Sequence, residues 1–76
     1  MTRLEFELEH EHDYVELNQL LKLAGLCDSG GAGKAMVASG AVRVDGATEL
    51  RKTCKVRAGS VVAVQGYEIV VVDGPG

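Results

Sequence analysis

The chain has 76 residues and a mass of 8.0 kDa, about half the usual domain length, so a single domain over 1–76 is expected. A chain this small buries only roughly 60% of its unfolded surface, which favours a binding role over a deep catalytic cleft. The composition, 46% hydrophobic and 25% charged with a net charge of −3, is that of a globular protein. No apolar run approaches the ~20 residues of a membrane span, and the acidic start (Glu5, Glu7, Glu9) is unlike a signal peptide. A soluble, monomeric cytoplasmic protein is the expectation.

Residues 3–12 alternate, with Leu4, Phe6, Leu8, His10 and His12 on one face and Glu5, Glu7, Glu9 and Glu11 on the other. Period two predicts a β-strand with one wet face, whose glutamates discourage edge-to-edge pairing. Asp13 stands as an N-cap with Glu16 three residues on, a capping-box pattern. Leu17, Leu20, Leu21 and Ala24 then form one apolar stripe, predicting a helix over 14–24 that stops at Gly25. A second helix is predicted over 29–39, capped by Asp28 or Ser29 and ended by Gly40. Its first half contains Gly30, Gly31 and Gly33, each costing up to ~1 kcal/mol relative to alanine. Either another backbone packs close to this helix, or its N-terminal amides are left bare for a ligand.

From Ala41 the period returns to two, with Val42 and Val44 inward and Arg43 outward. Asp45-Gly46 is a type I′ hairpin signal, and a short strand returns near 47–50. A basic loop follows, Arg51-Lys52-Thr53-Cys54-Lys55. Val61–Val64 and Tyr67–Val72 read as strands joined at Gln65-Gly66, and Pro75 between glycines suggests a frayed tail. The sum is an α+β fold, two short helices packed on a small, mostly antiparallel sheet of four to five strands.

Charge is unevenly distributed. Residues 1–16 hold one base, Arg3, against six acids, whereas residues 22–57 hold seven bases (Lys22, Lys34, Arg43, Arg51, Lys52, Lys55, Arg57) against three acids. At a Debye length of ~8 Å a polyanion responds to the local patch more than to the total, so a basic middle survives an acidic average.

Enzymatic readings find little support. Asp28-Ser-Gly-Gly-Ala-Gly-Lys34 resembles a phosphate loop, but Asp28 replaces the first glycine and Ala35 the magnesium-binding hydroxyl. What remains is a glycine-lined helix start with a lysine one turn in, suited to a single phosphate. His10 and His12 would lie about 6–7 Å apart on one strand face, without further ligands to complete a metal site. Cys27 and Cys54 form no Cys-x-x-Cys pair and read as reduced, half-buried hydrophobes. No cofactor is expected. Phe6, Tyr14 and Tyr67 are too few for a base-stacking platform, so any nucleic acid must be gripped through phosphates, 2′-hydroxyls and duplex shape.

From Leu17 to Val64 the chain resembles the RNA-binding domain named after ribosomal small-subunit protein four, also called the αL motif. Leu17-Asn18 stands at the family's Leu-Asp, Gly25 at the first stop, Ser29 at the serine opening helix two and Lys34 at its second arginine. Gly40-Ala-Val-Arg-Val-Asp-Gly46 matches the hairpin, the most specific block, and Gly59-Ser-Val-Val-Ala-Val64 the last strand. The chain is most similar to small free-standing bacterial members, through His10, His12, Val15-Glu16-Leu17, Leu20-Leu-Lys-Leu23 and Glu49-Leu-Arg-Lys-Thr-Cys-Lys55, with a small length difference at Asp13-Tyr14. Gly30 replaces the first arginine of helix two, Gly33 an alanine, and Glu16 a frequent arginine.

The resemblance implies a module that binds structured RNA, ribosomal RNA included. Lys34 and the Ser29, Gly30 and Gly31 amides would take one phosphate, and Arg51, Lys52, Lys55 and Arg57 would track the adjacent backbone. Lys22 and Arg43 would serve as outer contacts. Each missing arginine removes a bidentate phosphate contact, implying weaker binding than that of a ribosomal protein. The rival readings are a protein-interaction adaptor and a β-grasp sulfur carrier, the latter disfavoured by Pro75 in the terminal Gly74-Pro75-Gly76.

Overall fold

A computed structural model describes residues 2–9 and 11–74. Strand β1 is Thr2–Glu7, shorter than the alternation to residue 12 suggests. Leu8 still donates its N–H to the Val72 carbonyl at 2.9 Å, but the His12 N–H folds back onto the Glu9 carbonyl at 2.8 Å. His12 therefore sits in a turn beyond the strand; His10, the other member of the expected strand-face pair, lies outside the described residues, as does Pro75.

The first helix, α1, runs Leu17–Leu23 and starts three residues later than its capping-box pattern predicts. Tyr14–Glu16 instead forms β2, antiparallel to Lys55–Arg57 (β5), with Val15 opposite the buried Val56. Asp13 does not cap; its carboxylate accepts from Arg57 Nη1 at 3.1 Å. Glu16 occupies the N-cap position without a side-chain cap bond. The orphan amides of a helix start need acceptors, and here the chain supplies them from afar. The Leu17 N–H donates to the Cys54 carbonyl at 2.9 Å and the Asn18 N–H to the Lys52 carbonyl at 3.1 Å. At the other end Gly25 (φ +83°) completes a Schellman stop, with Leu26 N–H on the Leu21 carbonyl at 3.0 Å and Gly25 N–H on the Lys22 carbonyl at 3.0 Å.

Helix α2 is Gly30–Ala38, capped as expected by Ser29, whose Oγ accepts from the Ala32 N–H at 3.1 Å. Gly33 resolves the question its helix raises, since a Cβ there would meet the Asn18 carbonyl oxygen of α1 at 2.6 Å. The glycine permits close approach of the two helix backbones.

The remaining strands are β3 (Val42–Val44), β4 (Ala47–Thr48), β6 (Val61–Val64) and β7 (Tyr67–Val72). The main sheet has the order β1-β7-β6-β3-β4, with β1 parallel to β7 and the other pairs antiparallel; β2 and β5 make a separate two-stranded ribbon. Positive φ at Asp45 and Gly46 (52° and 87°) and at Gln65 and Gly66 (49° and 80°) gives both hairpins the I′ form. The α+β class with two helices on a mostly antiparallel sheet is thus observed. Leu17, Leu20 and Leu21 of α1 and Val37 of α2 pack with Val42, Val62, Ile69 and Val71 of the sheet in one buried core, each large aliphatic contributing ~1.5–3 kcal/mol on full burial. Both cysteines are free and half-buried. Among the described residues no helix is long and apolar enough to cross a membrane, and no cluster of His, Cys, Asp or Glu is placed to hold a metal ion.

Candidate nucleic-acid interface

The two amide tethers at the start of α1 pin the 52–54 loop against the helix pair. Beside it, β5 presents Lys55 and Arg57 on one face, because the intervening Val56 turns into the core. Lys34 projects from α2. The result is an open depression of about 790 Å³ lined by Lys34, Arg51, Lys52, Thr53, Cys54, Lys55 and Arg57. Five of the ten residues singled out from sequence meet there, and no carboxylate is among the described residues that line it. Such a surface carries the positive potential that attracts a polyanion.

The five cations are not equivalent. Arg51 is gripped by Glu49, with Nε on Oε2 at 3.0 Å, Nη2 on Oε1 at 3.3 Å and its backbone N–H on Oε2 at 2.9 Å. These side-chain and backbone hydrogen bonds from Arg51 hold the Glu49 carboxyl down at about 2, and the same contact raises the Arg51 guanidinium. Arg57 pairs with Asp13 and lies 5.7 Å from the centre of the Tyr14 ring, while Lys55 Nζ stands 5.0 Å from that ring. Among the described residues Lys34, Lys52 and Lys55 have no carboxylate partner. They are the cations free to meet a ligand. Cys54 is in the same wall, its Sγ 4.0 Å from Arg51 Nη2; burial first, and the Glu49 charge second, push its thiol up.

The other singled-out residues are placed differently. Gly30 and Gly31 lie in the first turn of α2 behind the Ser29 cap, one turn before Lys34 on the same helix. Lys22 occupies the last turn of α1 and does not line the depression. Arg43 is on the sheet face turned away from the helices. It stands opposite Ala63, which is opposite Glu68, which is opposite Arg3, and Glu68 pairs with Arg3 at 3.3 Å. Sequence reasoning missed Glu49, Thr53, Cys54 and Tyr14. The Glu49-x-Arg51 spacing was a usable signal for the clamp, whereas Tyr14 needs the β2–β5 register to be seen.

Fold and site together define a small α+β module that gathers its cations on one flank. The S4 domain family matches residues 6–72, and the chain belongs to that family. It is 48% identical over 62 residues to "Putative RNA-binding protein YbcJ" of Escherichia coli strain K12, covering 82% of this chain and 89% of that protein. It is equally similar to "Uncharacterized protein YbcJ" of Shigella flexneri. The solution structure of E. coli YbcJ, described as revealing an αL motif involved in RNA-binding, superposes with a TM-score of 0.69 at 47% identity. That superposition covers 90% of this chain and 85% of the other. Membership of this family replaces the β-grasp carrier reading.

Proposed function

We propose that this chain binds structured RNA, ribosomal RNA being the leading source, by seating the phosphate backbone in the depression between α2, the 51–54 loop and β5. The observation that carries this reading is the convergence of five cationic side chains from three separate elements on one wall, three of them without a carboxylate partner among the described residues. The RNA-binding description of the E. coli relative supports it. Lys52, Lys55 and Lys34 make the primary phosphate contacts, and the Gly30 and Gly31 amides behind Ser29 add to the Lys34 position. Arg57 contributes beside Tyr14, Arg51 after exchanging Glu49 for phosphate, and Lys22 from the periphery. Arg43 would meet only an RNA that wraps around the sheet. The protein acts as a cytoplasmic monomer without cofactor or catalytic residues.

The test is a titration of a labelled RNA hairpin at increasing salt. Three to five displaced counterions give a log–log slope of roughly −2 to −4.5. The reading fails if no RNA is retained at low salt, or if Lys34→Ala with Lys52→Ala and Lys55→Ala leaves the slope unchanged.

A further inference from the structure

A second concavity, of about 360 Å³, lies beside β2, lined by residues of β1, β2 and α1. Its apolar surface comes from Phe6, Leu8, Val15 and Leu23, and its carboxylates from Glu9 and Glu16. Leu23 is 60% exposed at the end of α1, one of two large hydrophobic side chains left so open among the described residues. Among the described residues the lining of this concavity holds no lysine or arginine, although Lys55 stands cross-strand from Glu16, and His12 lies 3.8 Å from Glu9. An apolar floor with acidic edges complements one chemistry, a cationic chain bearing aliphatic or aromatic side chains.

We propose that this groove docks a Lys/Arg-rich polypeptide segment of another protein, whose large apolar side chains cover Leu23 and Phe6 while its cations face Glu9 and Glu16. A second copy of this chain is the less suitable occupant. Of its two segments that join an open leucine to a cation, Lys22-Leu23 is itself part of the groove's edge and Leu50-Arg51-Lys52 has its arginine already engaged by Glu49. The docking is separable from the RNA reading by substitution: among the described residues the two concavities share no lining residue, although Lys55 and Arg57 of the basic depression approach the Tyr14 ring that lines this groove.

Fluorescence anisotropy on the whole protein, without RNA, tests it with two labelled peptides of equal charge, one of Lys, Leu and Phe and one of Lys, Gly and Ser. At about 0.15 M ionic strength the first is expected to bind at least about tenfold more tightly, and Leu23→Ser to weaken it about tenfold. Glu9→Gln with Glu16→Gln weakens it about two- to fivefold, and Lys34→Ala with Lys52→Ala leaves it unchanged. Circular dichroism checks that each variant keeps the parent fold. Equal binding of the two peptides, indifference to Leu23→Ser, or displacement by an RNA hairpin overturns the proposal. Self-association in sedimentation equilibrium that Leu23→Ser abolishes also overturns it, by assigning the groove to a second copy.

Discussion

The two flanks of the β2–β5 ribbon differ in sign while being separated by a single pair of three-residue strands. Tyr14 and Glu16 line the acidic groove along the β2 edge, and Arg57 and Lys55, their direct cross-strand partners on the same face, line the basic depression along the β5 edge. The formal charge of −3 describes neither flank. What matters at a Debye length of ~8 Å is the sorting, which a minimal ribbon accomplishes by holding Asp13 and Glu16 of the acidic N-terminal segment against Lys55 and Arg57 some forty residues on.

The largest expected effect comes from breaking the helix contact that brings Lys34 to the basic flank. Gly33→Ala drives a methyl to 2.6 Å from the Asn18 carbonyl. It should destabilise the fold by about 1–3 kcal/mol in urea denaturation, and the RNA slope should flatten in whatever protein remains folded. Next, Lys52→Ala with Lys55→Ala should flatten the log–log salt slope by about one to two, at roughly 0.7–0.9 per lost phosphate contact. The melting temperature should barely move, because both side chains are exposed.

Smaller effects sharpen the contrast. Glu49→Gln releases Arg51 to the depression and should tighten RNA binding about two- to fivefold at low salt. The Glu49 carboxyl, lowered to about 2 in the folded chain, adds stability that is present above its unfolded value and lost as the pH falls towards 2. A carboxyl titration followed by NMR should show that ordering, with the clamp intact at neutral pH. Cys54 serves as a built-in reporter: with its thiol raised, alkylation should be slow at neutral pH, accelerate as pH rises, and be suppressed by bound RNA. Cys27, which donates to Met36 Sδ at 3.9 Å, should show no RNA protection. Smallest of all, Leu23→Ser should leave RNA affinity unchanged.

Elements whose signals are local were legible from the residues. The α1 stripe, the Ser29 cap and the two I′ hairpins carry their information within a few positions. The failures share a cause. β2 and β5 exist because Val15 finds Val56 some forty residues away, and short-strand preference is mostly context. Without that partner Asp13-x-x-Glu16 reads as a helix start. The basic cluster was legible from charge segregation and family resemblance, but not its internal ranking. That ranking depends on which cations carboxylates already hold, a property of loop geometry. Strand parity places Arg43, expected as an outer contact, outward on β3, but parity alone does not say that this outward face is the side of the sheet turned away from the helices.

The carbonyls of Lys52 and Cys54 that receive the first amides of α1 carry a thermodynamic consequence. The helix they hold is anchored by fully buried leucines, so the peptide planes of the 52–54 segment are already set before any partner arrives. Docking then forfeits little backbone freedom on the protein side. Adjustment falls to the RNA, and discrimination among RNAs becomes a matter of how cheaply each can bend to a rigid template.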